Sequence, residues 1–311
     1  MRASELAALV GGTLHGSDRS IQGVAPAHTA GPDQLAFATR GTPGAAGVLL
    51  ARETAPDRTV VVVDDPRLAF AVALQTLFPS VHPPGVQPGA FVHPSAALGA
   101  GVAVYPGAYV GPGCILGDRV VIHPNAVLYP GVIVGPDTVV HAGAVLGADG
   151  FAYAAGPQGP VKMPQLGGLR VGARVEVGTN TCVDRGALAD TVLADDCKLD
   201  DLVLVGHNCQ LERAVLLAGQ VGLAGSTQVG AGVIIGGQAG TTEHTEVGAG
   251  ARIAAGAGLH KPVPPGATVM GRPARPAGEA RRMWALVRRL PDLWSELKAL
   301  RRRVEALEAS V

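Results

Sequence analysis

The sequence predicts a mainly β chain: a left-handed parallel β-helix of hexapeptide repeats, preceded by a small N-terminal α/β domain and followed by a C-terminal helical tail. Three observations carry this expectation. Within residues 171 to 264 one aliphatic side chain returns at every sixth position, as Val205, Leu211, Leu217, Leu223, Val229, Ile235, Val247, Ile253 and Leu259, with Thr241 the polar exception. Four residues after most of these stands a small side chain, among them Cys209, Thr227 and Ala239. Glycine supplies 44 of the 311 residues and recurs at fixed places in the repeat, which marks corners rather than disorder. A period of six fits neither a helix of 3.6 residues per turn nor an alternating strand, so it calls for a repeat architecture. Each hexapeptide lays one strand along a side of a triangular prism and points its aliphatic residue inward. Its Gly, Asn or Asp turns the corner, where positive φ is least costly. Three hexapeptides, eighteen residues, then make one coil, and stacked coils lie about 4.8 Å apart.

Residues 1–84 do not repeat. Ser4 to Val10 has the spacing of a short capped helix, Arg58 to Asp65 reads as a buried strand followed by a turn, and Pro66 to Phe78 has helical spacing. Together they predict a small α/β domain that binds nucleotide or substrate, closed by the proline-rich stretch 80–88, a stiff linker. The β-helix is expected over 85–272. Its beat runs in phase from Val86 to Leu146, breaks, resumes at Val171, Val177 and Val183, and slips again around 184–187 before Leu193. Residues 148–170 are therefore an insertion between coils. A loop that leaves a solenoid costs ordering entropy, which points to a functional role.

From 273 to 311 the pattern changes to a heptad seam, with Met283, Leu286, Leu290, Leu293, Leu297, Leu300, Val304 and Leu307 stepping by three and four. Pro291 is expected either to kink this helix or to start a second one. The tail holds nine Lys/Arg against five acids, so it suits an acidic partner as well as a plain solvated face.

Lys+Arg and Asp+Glu balance at 25 each, which gives no electrostatic case for nucleic acid. The N-terminus has no long apolar core behind a basic start, and no run of eighteen apolar residues occurs. A cytoplasmic protein with no export signal and no membrane span is expected. Cys114, Cys197 and Cys209 occupy small inward slots, Cys182 lies in a repeat nearby, and none forms a C-x-x-C pair, so all four read as structural thiols.

The eighteen-residue coil locates a candidate site. Two steps up from Asn208 come Ser226 and then His244; two steps up from His207 come Gly225 and then Glu243. One corner thus carries a polar column, and its two histidines stand two coil heights apart, roughly 9 to 10 Å. That gap suits two ends of one extended substrate and is too wide for two ligands of one metal ion. With Gly225 above it, the His207 imidazole faces an exposed backbone N–H, the pairing of base and oxyanion donor that acyl transfer requires. At a second corner Gln220 stacks under Gln238 and Gln238 under Gly256, with Ala254, Ala255, Ala257 and Gly258 around them, so a pocket for a long acyl chain is expected beside Gly256.

Several motifs together resemble the UDP-3-O-(3-hydroxyacyl)glucosamine N-acyltransferases of lipid A biosynthesis. They are Val205-Gly-His-Asn208, Lys198-Leu-Asp-Asp201, the loop Gly147-Ala-Asp-Gly-Phe-Ala-Tyr153 with Lys162-Met-Pro-Gln-Leu-Gly167, Val183-Asp-Arg-Gly-Ala-Leu188 and Ile235-Gly-Gly-Gln238. The resemblance covers nearly all of residues 90 to 275. It implies a homotrimer with active sites in clefts between neighbouring prisms, and transfer of a 3-hydroxyacyl chain from acyl carrier protein to the 2-amino group of a UDP-acylglucosamine. It implies that His207 is the general base, that Gly225 supplies the oxyanion N–H, and that Asp200 orients or charge-balances a histidine. Asn208 and His244 match groups that bind polar parts of the substrate, and Phe151, Tyr153, Lys162, Gln165 and Gln238 fall in matching substrate-binding motifs. The family's uracil-binding segment resembles a Phe followed three residues on by Asn and six on by Tyr. Here Phe37 is in place, while Arg40 and Pro43 stand at the other two positions.

No cofactor and no metal is expected. A γ-carbonic anhydrase type needs a His-x4-His pair, and no His lies five residues after His207, His141 or His123. A non-enzymatic solenoid would be uniform along one face, whereas the polar exceptions here gather at one corner. The remaining alternative is a hexapeptide acyltransferase that uses acyl-CoA or acts on a different nucleotide amino sugar.

Overall fold

The structure is a computed structural model and describes residues 1–38, 46–272 and 274–309. It divides into two compact units, Met1–His82 and Pro83–Val311.

The first unit comprises helix α1 (Ala3–Val10), strands β1 (Thr13–His15), β2 (Gly23–Val24), β3 (Gln34–Phe37), β4 (Val48–Ala51) and β5 (Thr59–Val62), and helix α2 (Pro66–Leu77). The sheet runs β1-β5-β4-β3-β2. Only β1 is antiparallel to its neighbour. Asp65 starts α2 by accepting from the backbone N–H of Arg67 and Leu68, and Pro66 follows at the first helical position, where an N–H would have no partner within the helix. Leu6, Leu35, Leu50 and Val61 are fully buried between sheet and helices. The Phe37 ring packs on Phe70, centroids 4.9 Å apart, and so belongs partly to this core. Arg40 and Pro43 lie outside the described residues.

The second unit is a parallel β-helix with three faces. The first carries ten strands from Gly85–Val86 to Thr268–Val269, the second nine from Phe91–Val92 to Gly258–Leu259, and the third eight from Ala97–Leu98 to Glu246–Val247. Two residues of each hexapeptide form the strand, and the aliphatic one points inward: Val205, Leu211, Leu217 and Leu223 are all buried. Register makes the predicted columns real, since Val205 pairs with Leu223, Leu211 with Val229 and Leu217 with Ile235. The one polar interruption is satisfied internally, because the Thr241 hydroxyl lies 2.9 Å from that of Thr227 and accepts the Ala224 N–H. Corner residues adopt left-handed φ, among them Asn208 at 61°, Ser226 at 61° and His244 at 57°.

Two other corners carry ladders that need no functional reading. Arg119, Asp137, Arg174 and Asp196 alternate in charge up the corner between the third and first faces, with Arg119 on Asp137 and Arg174 on Asp196. Between the first and second faces the rings of Tyr105, His123 and His141 stack 5.2 and 5.1 Å apart, and His141 Nε2 meets Glu176 at 2.8 Å.

The breaks in phase appear as jumps of register. Leu146 pairs with Val183 across the insertion, and Val171 with Leu193 across a coil four residues longer than the eighteen-residue coils above it. The insertion carries an antiparallel hairpin of Tyr153–Gly156 and Gly159–Lys162. At the C-terminus α3 (Ala277–Glu308) is one helix with Pro291 inside it, so the proline does not start a second helix. Its apolar residues, including Trp284, Leu290, Leu297 and Val304, are exposed. Among the described residues no helix is long and apolar enough to cross a membrane.

Candidate active site

His207 and Asn208 follow the second-face strand Leu204–Val205 and turn the corner toward the third face. Column stacking holds there: the Ser226 N–H donates to His207 O at 2.8 Å, and the His244 N–H to Gly225 O at 3.1 Å. His207, Gly225 and Glu243 thus stand on successive coils, with Asn208, Ser226 and His244 beside them.

Glycine makes room for the imidazole on both sides. A Cβ on Gly225 would lie 2.6 Å from His207 Cε1 and 2.7 Å from Nε2, and a Cβ on Gly150 would lie 2.8 Å from its Cβ and Cδ2. Neither glycine has positive φ, so it is the ring, and not the backbone, that excludes a side chain at either position. The Gly225 N–H donates to no acceptor among the described residues.

The tautomer is set by Asn208. Its Oδ1 accepts the Ala187 N–H at 3.0 Å while its Nδ2 donates to Ala189 O at 2.9 Å, so the amide cannot present its other end. His207 Nδ1, 3.0 Å from the same Oδ1, must then be the protonated nitrogen. In a neutral ring the lone pair is left on Nε2, an atom on the side of the ring that Gly225 borders. Thr191 Oγ1 accepts the Asn208 N–H and ties the corner to the coil below.

The insertion closes over this corner. The N–H groups of Leu166 and Gly167 donate to Ala187 O, and Arg185 turns its guanidinium away to donate to Gly167 O at 2.7 Å. Lys162 pairs with Asp149 at 2.5 Å. The Phe151 and Tyr153 rings pack at a tilt of 59°, centroids 5.1 Å apart, and are exposed, Phe151 by 86%. Gln165 is buried; its Nε2 donates to Met163 O, and its Oε1 has no partner among the described residues.

A carboxylate to which spacing assigned no role lies here too. Asp184 ends the strand Cys182–Asp184, in register with Ala148, one coil beneath Gly206. Burial pushes its carboxyl up from 3.8 to about 6, with the Asp149 charge acting the same way and His207 opposing. A raised carboxyl pKa means that the native state favours the neutral form. This contribution to stability is full below pH 3.8 and lost as pH rises through 6. Cys209, next to Asn208, faces the core; burial raises its thiol to about 11, which rules it out as a nucleophile.

Other residues singled out in the sequence stand apart from this cluster. Asp200 lies at the corner between the first and second faces, where its carboxylate accepts the N–H groups of Gly219 and Asp201. Within one chain the group that orients His207 is therefore Asn208 and not Asp200. Gln238 shares the Asp200 corner and donates to Gln220 at 2.7 Å. Gly256, one coil higher, has φ +70° and sits beneath Arg272, whose Cδ and Cβ would lie 3.3 and 3.4 Å from an added Cβ. Its missing side chain therefore admits Arg272 as well as any ligand. The barest surface near the site is instead the outward column Gly222, Gly240 and Gly258 on the second face, above Leu204; at Gly222 an added Cβ meets nothing within 4 Å. Phe37 belongs to the first unit.

Residues 113–148 match the family described as bacterial transferase hexapeptide (six repeats). The UDP-3-O-acylglucosamine N-acyltransferase of Nitratidesulfovibrio vulgaris is 47% identical across 100% of this chain and 98% of its own length. That of Oleidesulfovibrio alaskensis is 44% identical across 99% and 98% respectively. Among solved structures, UDP-N-acetylglucosamine acyltransferase from Campylobacter jejuni superposes with a TM-score of 0.54 over 64% of this chain and 81% of that one, at 20% identity, which speaks to the fold. A whole-length match at this identity, on a hexapeptide solenoid, assigns the chain: it belongs to the UDP-3-O-acylglucosamine N-acyltransferase family.

Proposed function

We propose that this enzyme transfers a 3-hydroxyacyl group from acyl carrier protein to the 2-amino nitrogen of UDP-3-O-acylglucosamine, in the cytoplasm, as a step of lipid A biosynthesis. The single observation that carries the mechanism is His207 with its Nδ1–H held by Asn208 and its Nε2 beside Gly225. The amine attacks the thioester carbonyl and gives its proton to Nε2, and the Gly225 N–H donates to the oxygen as it gains charge. The C–S bond then breaks, and the leaving thiolate takes the proton from the imidazolium.

The remaining site residues take substrate roles in this reading. His244, two coils above His207, binds a polar or phosphate group at the far end, and Lys162, Gln165, Phe151 and Tyr153 form the wall supplied by the insertion. The exposure of that wall supports a homotrimer in which a neighbouring prism closes the cleft. Asp200 and Gln238, on the other corner, reach a histidine or substrate only across such a boundary. Phe37 offers its ring to the nucleotide base, and the acyl chain runs along the bare second face, with Gly256 at its upper margin. Burying each CH₂ there contributes about 0.8 kcal/mol.

The test is the purified chain incubated with UDP-3-O-acylglucosamine and a 3-hydroxyacyl thioester of either acyl carrier protein or coenzyme A. N-acylated product by mass spectrometry, with the carrier protein strongly preferred, is the expected result. No product with either donor overturns the reading, and equal turnover with both replaces the carrier by the coenzyme.

The carrier assignment rests on α3, where basic side chains outnumber acids nine to five over residues 273–311 and Arg301–Arg303 are exposed. Clustered positive charge raises the encounter rate with an acidic carrier, and salt screens it. Changing Arg301, Arg302 and Arg303 together to Ala should raise KM for the carrier thioester severalfold and flatten its dependence on ionic strength. An unchanged salt dependence would leave α3 with a packing role only.

A further inference from the structure

We propose that Asp184 is a positioning residue of this site, whose carboxylate supplies the counter-charge for His207 as its imidazole takes the proton of the attacking amine. The inference rests on the reading of His207 as general base. Its support is the placement of charges around one half-buried ring. Asp184 stands one coil beneath Gly206, the residue before His207, and beside Ala148. The next two residues of that segment are Asp149 and Gly150, and Gly150 lies against the imidazole itself. Two carboxylates therefore sit on the segments next to the ring, and Asp184 feels the charges of both Asp149 and His207.

Their surroundings differ. Asp149 has its own cation in Lys162 at 2.5 Å. Asp184 has no ion pair among the described residues. The adjacent cation, Arg185, is turned away to Gly167 O. The other titratable groups that feel Asp184 are Cys182 and Cys209, both thiols whose ionisation burial opposes. His207 is the remaining partner able to carry positive charge, and it interacts with Asp184 electrostatically. A hydrogen bond from Nδ1 is already committed to Asn208, so Asp184 acts through space. Asn208 orients the ring, and Asp184 stabilises the charge that appears on it. In a partly buried pocket such a pair is screened less than at the surface.

The direction with pH follows. Asp184 is ionised above about 6 and can offset an imidazolium there. As pH falls through 6 the carboxyl is neutralised and the support is lost, so its titration belongs to the acid limb of the rate profile.

The test is Asp184→Asn, which keeps shape and removes charge, assayed for kcat and KM from pH 5 to 9 beside the parent and His207→Ala. The variant is expected to turn over at least tenfold more slowly, with KM within threefold and an acid limb moved by at least half a pH unit. An acid limb that superimposes on the parent's overturns the proposal, whatever happens to kcat, because a merely structural residue would leave the profile's shape unchanged. An inactive parent, or an active His207→Ala, would instead indict the reading beneath it. Should Asp184→Asn fail to fold, the carboxyl resonance of Asp184 in the parent and in His207→Ala decides: a midpoint that rises when the imidazole is removed supports the pair, and an unchanged midpoint overturns it.

Discussion

Replacing His207 by Ala slows acyl transfer at saturating substrate by about 10²- to 10⁴-fold and leaves the fold intact. The size follows from removing the group that takes the proton as the C–N bond forms. The survival of the fold follows from the corner. His207 is half-buried, and the inward side chains around it, Val205, Cys209 and Leu223, make the core without it. Asn208 also keeps its bonds to Ala187 and Ala189 when the ring is gone. The measurement is kcat under saturating substrates together with a thermal melt. Activity within threefold of the parent, with an unchanged melt, would remove His207 from the mechanism.

Gly225→Ala produces the second-largest loss of turnover, about 10²-fold. The new methyl group would fall 2.6 to 2.7 Å from the imidazole, closer than carbon atoms approach, and the backbone at Gly225 accepts an L residue because its φ is not positive. The ring must move, yet Gly150 closes its other side and Asn208 holds Nδ1. A displacement of about 1 Å in a catalytic base costs on the order of 10²-fold, and crowding the Gly225 N–H weakens the oxyanion donor as well. KM and the melting temperature should change little. A parent-like kcat would mean that the ring has slack that this packing does not show, and the base would have to be sought elsewhere.

Both variants concern a corner that simple counting found. Regular eighteen-residue coils made Gly225 and Glu243 the residues above His207, and Ser226 and His244 those above Asn208, because stacking of parallel strands leaves no freedom of register once each coil has the same length. The same counting fails just below. The coil beneath His207 is four residues longer, so eighteen steps back from Gly206 misses Asp184. The motif Val183–Leu188 was visible as a resemblance, but its carboxylate had no position. Asn208 was legible as a site residue and not as the group that sets the tautomer. That role depends on the N–H of Ala187 and the carbonyl of Ala189, which the irregular turn delivers.

Repetition in the chain dictates the solenoid, its three-strand coil, the insertion and the His207 column, because a repeat with one inward residue in six admits only one way to bury its apolar side chains. The apolar seam of α3 was equally plain, although whether Pro291 ended the helix was settled only in three dimensions, where the helix runs through it. What surrounds the ring is a matter of tertiary structure alone. Folding placed Gly150 and the Asp149–Lys162 pair over the corner, moved Asp200 to a different one, and covered Gly256 with Arg272. The physical reason is that the periodic part of the chain is held by local repetition, whereas an inserted loop and an overlong coil are held by bonds to distant segments, whose partners no spacing rule in the sequence specifies.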